Sequence, residues 1–191
     1  MSIDEVFAEH SAVAAQAAEE LPRVLQRVVS AAHECLSSGH KILACGNGGS
    51  AADAQHLVAE LVGRFREERP ALAGIALTAD TATLTALGND YGYERVFARQ
   101  VEALAHVGDL LFAISTSGNS PNVLQAAQTA RGLGCKVIAL TGARGGHLAA
   151  HADLLIQAPS TVVARIQEMH TLCIHAIADS LDGLIRHQAG S

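Results

Sequence analysis

The stretch "KILACGNGGSAADAQHLVAE", from Lys41 to Glu60, decides the predicted fold. It begins with an apolar run, continues through a glycine-rich turn and ends in a segment of helical composition. The same order recurs along the chain, and because the apolar runs have no polar face they favour a parallel sheet with helices on both sides. We therefore predict a doubly wound α/β fold with five parallel strands, at Lys41–Gly46, Leu72–Thr78, Asp109–Thr116, Lys136–Gly142 and Ala152–Ala158.

The length of 191 residues fits a single domain. Residues 1–38 are predicted to form an N-terminal helical arm of two helices joined near Leu21 and Pro22, residues 39–160 the α/β core, and residues 161–187 a C-terminal helix. The arm is rich in Ala and has an apolar face. We expect that face to contact another copy of the chain, with packing on its own domain as the alternative.

Composition excludes several classes of protein. The net charge is −6 and the basic residues are scattered, which argues against an extended contact with DNA or RNA. The four cysteines form no CxxC pair and indicate free thiols in a reducing compartment. No apolar segment approaches the roughly 20 residues that span a bilayer. We expect a cytoplasmic protein that binds neither nucleic acid nor membrane.

The glycine-rich turn after the first predicted strand does not match a nucleotide-binding motif. A Walker loop needs a Lys beside Ser or Thr, and no Lys lies between Lys41 and Lys136; the dinucleotide fingerprint needs a third Gly that is missing here. What remains is a tight turn with free backbone N–H groups that leads into a helix capped by Ser50. The alternative is a loop that merely requires small residues.

The loop "STSGNSPN", from Ser115 to Asn122, follows the third predicted strand. Its hydroxyl groups, and Pro121 early in the next helix, are typical of an anion-binding cradle at a helix N-terminus. Because the loop contains no Lys or Arg, a small phosphorylated metabolite fits it better than a triphosphate does. An ordinary capped turn is the alternative.

Four segments together resemble the phosphoheptose isomerases of the sugar isomerase (SIS) domain family: "GNGGSAADAQHLVAELVGRF", "GND", "ISTSGNSPNVLQA" and "RIQEMHTLCIH". The resemblance implies a flavodoxin-like SIS fold and a zinc-dependent homotetramer with active sites at subunit interfaces. It also implies an aldose–ketose isomerase that converts D-sedoheptulose 7-phosphate to D-glycero-D-manno-heptose 7-phosphate, the first step of nucleotide-activated heptose biosynthesis.

The resemblance also implies roles for individual residues. Phosphate would contact Ser115, Thr116, Ser117 and Ser120, and the rest of the substrate would contact Asn47, Gly48, Gly49, Ser50, Glu60, Asn89, Asp90 and Gln167. Zinc would be held by His56, Glu60, Gln167 and His175.

The spacing of the implied zinc ligands can be compared with helix geometry. His56 and Glu60 are at i and i+4 and share one helix face, which permits either a shared metal ion or a plain hydrogen bond. Gln167 and His175 are eight residues apart, about 12 Å along a helix. One helix cannot easily direct both at one ion, so we expect a neighbouring subunit to supply at least one of them.

An isomerase needs a base beside the substrate carbonyl and a group that moves protons between two oxygens. Glu60 is our candidate base and His175 our candidate shuttle, with zinc polarising the carbonyl. Glu60 would then be a loose zinc ligand that also contacts the substrate. The alternative function is a non-catalytic SIS protein that binds a phosphosugar or a replication initiator. Initiator-binding relatives lack a carboxylate where Glu60 stands, and an isomerase for a different phosphosugar also stays open.

Overall fold

We describe the fold from a computed structural model that covers residues 2–189, with side chains described for residues 2–185. The strands are β1 (Ile42–Gly46), β2 (Gly74–Ala76), β3 (Leu110–Ile114), β4 (Lys136–Gly142) and β5 (Leu154–Ala158). The α-helices are α1 (Ile3–Glu20), α2 (Pro22–Ser37), α3 (Gly49–Val62), α4 (Thr81–Tyr91), α5 (Val96–Leu104), α6 (Pro121–Gly132) and α7 (Val163–Ala189). Short 3₁₀ helices occupy Tyr93–Arg95 and His147–His151.

The five strands form one parallel sheet in the order β2-β1-β3-β4-β5, which confirms the predicted doubly wound α/β fold. Alternate residues of each strand face opposite sides, so the sheet divides the core in two. Ala44, Phe112 and Leu140 pack in one half with helices that include α2 and α7. Leu43, Leu111 and Ala139 pack in the other half with α5 and α6.

The second helix of the predicted arm belongs to the core. Pro22 starts α2 at its first turn, and Val28, Ala32 and Cys35 are buried with residues of the sheet and of α7. The expected oligomer contact is therefore wrong for this face, which packs on its own domain. Helix α1 is different, because Ile3 and Phe7 lie one turn apart and remain 77% and 68% exposed.

Several predicted boundaries need correction. Strand β2 has three residues instead of seven, and β5 begins two residues later than expected. Helix α3 begins at Gly49 after Gly48, whose φ of +56° suits glycine, so Ser50 is not the N-cap but a buried residue of the first turn. The same helix ends at Val62, three residues before Phe65, although helical composition continues from Ser50 to Phe65 in the sequence.

The topology brings the two unusual loops together. The chain passes from β1 to β2 on one side and then returns to β3 on the other side of β1, which makes the β1/β3 pair the switch point of the sheet. Gly46, the last residue of β1, is paired with Ile114, the last residue of β3. The glycine-rich turn and the Ser115–Asn122 loop therefore leave the sheet side by side.

None of the helices within residues 2–189 combines the length and the apolar character needed to cross a membrane.

Helix α7 buries an uncharged histidine, His170, against the end of β4. The His170 side chain is fully buried, and its Nε2 lies 3.0 Å from the carbonyl oxygen of Thr141 at the end of β4. Within the described residues its Nδ1 has no hydrogen-bond partner. Burial lowers the pKa of His170 from the ordinary 6.5 to about 4, against the opposing effect of the hydrogen bond to Thr141.

This burial predicts a pH dependence of stability. As pH falls from about 6.5 towards 4, the unfolded chain gains a proton at His170 before the folded chain does, so the free energy of unfolding should decrease by up to about 3 kcal/mol. Urea unfolding measured from neutral pH to about pH 4 tests this. His170→Leu should flatten the dependence, whereas the exposed His147→Gln should keep the wild-type slope. Parallel curves for the wild type and His170→Leu would refute the assignment.

Candidate active site

The two loops at the switch point are joined by a pair of amides. Asn47 Nδ2 donates to Asn122 Oδ1 at 2.8 Å, and Asn122 Nδ2 donates to Asn47 Oδ1 at 2.9 Å. The Tyr93 hydroxyl donates to the same Asn47 oxygen at 3.3 Å. Asn47 is thus held in place, with its backbone beside Gly48 and Gly49. The sequence did not indicate Tyr93, and it contained Asn122 within the quoted loop without assigning it a role.

The hydroxyl groups of the Ser115–Asn122 loop converge. Ser115 Oγ is 2.9 Å from Ser120 Oγ and 3.5 Å from Ser117 Oγ. Ser120 precedes Pro121 at the start of α6, yet its side chain caps no backbone N–H of that helix. Within residues 2–189, the backbone N–H groups of Thr116 and Ser117 also have no acceptor. The loop therefore presents hydroxyl and N–H donors to one anion, without a cation of its own.

Three side chains on α3 and α7 form a second cluster. His56 Nε2 is 3.0 Å from Glu60 Oε1 and 3.2 Å from His175 Nε2, and one ligand atom from each of the three lies within 4.8 Å of the others. The His56 and His175 rings meet edge to face, with centroids 4.8 Å apart. Two imidazole nitrogens and one carboxylate oxygen at this spacing are a donor set suited to a transition metal ion.

Gln167 lies apart from this cluster. A Cβ at Gly49 would overlap the Gln167 amide, so glycine is needed at the start of α3 to let α7 approach. Gly49 precedes His56 by seven residues, which is about 10 Å along the helix. Helices α3 and α7 therefore run side by side in the same direction, with Gln167 facing the start of α3 and His175 facing His56. One chain supplies three of the four predicted ligands, and His175 needs no neighbouring subunit.

Asp53 lies one turn before His56 on α3 and is buried. Its Oδ1 accepts a hydrogen bond from Thr171 Oγ1 at 3.0 Å, while its Oδ2 has no partner within the described residues. Burial raises the pKa of Asp53, and the Thr171 hydroxyl and the nearby His56 act in the opposite direction. This contact is a second connection between α3 and α7, close to the metal-type cluster.

A buried ion pair holds the far end of α3. The Arg69 and Asp182 side chains are 1% and 2% exposed, and Arg69 Nε donates to Asp182 Oδ1 at 2.5 Å. Arg69 also donates to the carbonyl oxygens of Glu60 and Leu61, which end α3. Burial alone would raise the pKa of Asp182. The side chain of Arg69 and the backbone N–H groups of the loop after α3 outweigh this effect and hold that pKa low. No pattern in the sequence indicated either residue.

Asn89 and Asp90 lie on α4 and are exposed. Asn89 Nδ2 donates to Asp90 Oδ1 at 2.8 Å. Within residues 2–185, no hydrogen bond or ion pair joins either side chain to the Ser115–Asn122 loop or to the cluster of His56, Glu60 and His175. Their predicted contact with the substrate therefore stays a prediction.

The buried ion pair can be tested with one substitution. Asp182→Asn leaves Arg69 buried without a counter-charge and should lower the free energy of unfolding by about 3–5 kcal/mol. Asp179→Asn on the same helix removes an exposed pair, Arg66 with Asp179 at 3.6 Å, and should cost no more than about 1 kcal/mol. Urea unfolding monitored by circular dichroism measures both. Equal losses in the two variants would contradict the role given to Asp182.

Comparisons with known proteins show which family this chain resembles. A family model described as SIS domain matches residues 6–142. The phosphoheptose isomerase of Aliarcobacter butzleri is 54% identical over 181 residues, which are 95% of this chain and 96% of that protein.

Two solved structures extend the similarity to three dimensions. A phosphoheptose isomerase from Neisseria gonorrhoeae superimposes with a TM-score of 0.90 at 47% identity, over 95% of this chain and 97% of that one. A phosphoheptose isomerase from Francisella tularensis superimposes with a TM-score of 0.92 at 42% identity, over 95% and 96% of the two chains. The similarity in sequence and in fold thus extends over nearly the whole chain.

Proposed function

We propose that this chain, which belongs to the phosphoheptose isomerase family of SIS domain proteins, interconverts D-sedoheptulose 7-phosphate and D-glycero-D-manno-heptose 7-phosphate. This would be the first step of nucleotide-activated heptose biosynthesis, in the cytoplasm. The observation that carries the proposal is the cluster of His56, Glu60 and His175 at 3.0–3.2 Å, whose first two residues lie on a helix that begins at the switch point where the hydroxyl-rich loop without a cation also leaves the sheet.

The substrate would lie along the switch point of the sheet. Its phosphate would accept hydrogen bonds from the cradle hydroxyls and from the free N–H groups of that loop. Its sugar would pass the glycine turn, where Asn47 is fixed by Asn122 and where Gly48 and Gly49 lack side chains. The cradle is Ser115, Thr116, Ser117 and Ser120, and the predicted sugar contacts are Asn47, Gly48, Gly49, Ser50, Glu60, Asn89, Asp90 and Gln167.

The cluster fits a zinc ion. His56 Nε2 and His175 Nε2 are 3.2 Å apart, so without a metal ion one of them must donate an N–H to the other. With a metal ion between them, both nitrogens can direct their lone pairs at the cation. His56, Glu60 and His175 would hold the ion, and Gln167 would have to reach it from another copy of the chain. When bound, zinc would polarise the substrate carbonyl and stabilise negative charge on its oxygen.

The proton transfers fall to Glu60 and His175. Glu60 would take the proton from carbon 1 of the ketose and return it to carbon 2, by way of an enediol. His175 would move a proton between the two oxygens. Glu60 is half-buried and its backbone carbonyl is held by Arg69, which fixes the position of the carboxylate relative to α7. The presence of this carboxylate favours the isomerase over a non-catalytic SIS protein.

The predicted homotetramer with sites at subunit interfaces stays part of this proposal. Ile3 and Phe7 give α1 an exposed apolar stripe that another copy could cover. Their neighbour Val6 accepts a hydrogen bond from Arg165 on α7, two residues from Gln167. A copy seated on α1 would therefore approach the end of the site where Gln167 lies.

Replacing the proposed base tests the mechanism. Glu60→Gln should lower the turnover of sedoheptulose 7-phosphate by at least about 100-fold, because general base catalysis contributes that much. NMR in D₂O should show wild-type exchange of the proton on carbon 1 and almost none in the variant. Glu68→Gln, an exposed carboxylate beyond α3, is the matched control and should keep wild-type turnover. Full turnover by Glu60→Gln would exclude it as the base.

Mixed oligomers test whether a site is shared. If Gln167 completes a site built on another copy, His175→Ala and Gln167→Ala should each be inactive alone. Oligomers that contain both variants should regain about a quarter to a half of wild-type activity, because in each pair with one chain of each variant one of the two sites keeps both residues. The two chains can be coexpressed with different tags and the mixed species isolated. Mixed oligomers as inactive as the single variants would contradict a shared site.

A further inference from the structure

A cavity opens beside Thr116 and Ser117 of the hydroxyl cradle, and Arg144, the kind of cation that the cradle lacks, is one of its lining residues. Its volume is about 360 Å³. Three loops border it: the cradle loop, the loop after β4 and the loop between β5 and α7. Its polar lining includes Thr116, Ser117, Asn119, Arg144 and Ser160. Arg144 is the one Lys or Arg among the described residues that line it, and none of the lining residues is acidic.

The loop that carries Arg144 is fastened to the cradle loop. The Gly142 N–H donates to the Thr116 carbonyl at 3.0 Å, and the Leu148 N–H donates to the Gly118 carbonyl at 2.9 Å. A Cβ at Gly146 would lie 2.5–2.6 Å from backbone atoms of residues 117 and 118, so the two loops are in direct backbone contact. The backbone of Arg144 is therefore held at a fixed distance from the cradle.

The guanidinium of Arg144 is exposed and makes no hydrogen bond or ion pair with residues 2–185. Most other arginines are engaged with carboxylates: Arg64, Arg66, Arg69, Arg95, Arg99, Arg131 and Arg165 each pair with Asp or Glu. Arg23 and Arg27 on α2 also lack a carboxylate partner among the described side chains, but they do not line this cavity. Arg144 is thus a charge held beside the predicted anion site, with no carboxylate among residues 2–185 to neutralise it.

We propose that Arg144 is a substrate-binding residue that pairs with the phosphate group of the sugar phosphate in the cradle. The cradle hydroxyls and N–H groups fix the orientation of the phosphate but carry no charge. A guanidinium donates two parallel hydrogen bonds to phosphate oxygens and supplies the opposite charge. This inference rests on the proposed function, because it takes the ligand to be a sugar phosphate.

Calorimetric titration of the metal-loaded protein with sedoheptulose 7-phosphate and with inorganic phosphate tests the proposal. Arg144→Gln should raise Kd for both ligands at least about tenfold, because it removes the two charge-assisted hydrogen bonds at an exposed site. It should also raise KM more than it lowers kcat. Arg144→Lys keeps the charge and should recover part of the affinity. Lys136→Gln is the matched control, because it removes the same charge at the opposite end of β4 and should leave Kd within about twofold.

Each outcome decides the question. A Kd for Arg144→Gln within twofold of wild type for both ligands overturns the proposal, as does a loss of affinity for the sugar phosphate alone, which would make Arg144 a sugar contact. Absence of phosphate binding by the wild type overturns it as well. If the wild type binds phosphate through Arg144 but does not isomerise sedoheptulose 7-phosphate, the proposed function fails while the role of Arg144 stands.

Discussion

The buried pair of Arg69 and Asp182 is the interaction on which the arrangement of the site depends. Arg69 follows α3 and binds the last carbonyl oxygens of that helix, while Asp182 lies two turns beyond His175 on α7. The pair therefore fixes the C-terminal end of α3 against α7. Buried pairs contribute little net stability because desolvation offsets their attraction. We interpret this one as setting a single register between the two helices.

That register has chemical consequences at both ends of the helix pair. At one end Gly49 lets the Gln167 amide approach the backbone, and in the middle His56 meets His175 at 3.2 Å. A shift of one residue along α7 would turn His175 by about 100° and remove it from the cluster. The metal-type cluster and the glycine turn are thus two results of one packing arrangement.

The fold could be predicted from local patterns because each strand is an apolar run that is bounded by turn residues. The sequence also placed His56 and Glu60 on one face, since their i, i+4 spacing is independent of the rest of the chain. The prediction that α2 contacts another copy was wrong, because the sequence of an apolar helix face is the same whether that face packs on its own sheet or on a second chain. Contacts between distant segments left no local signal, which is why Arg69, Asp182 and Arg144 emerged only from the packing. His175 was expected to need a second chain because helix spacing alone does not show that α3 and α7 run side by side.

The central claim is that one chain brings His56, Glu60 and His175 together to hold a metal ion. Anomalous diffraction at the zinc absorption edge from crystals of the zinc-loaded protein tests this most directly. The account predicts one anomalous peak per chain, within about 2.0–2.2 Å of His56 Nε2, His175 Nε2 and a Glu60 carboxylate oxygen of the same chain. A peak whose ligands exclude any of these three residues, or one in which His56 and His175 come from different chains, would contradict it.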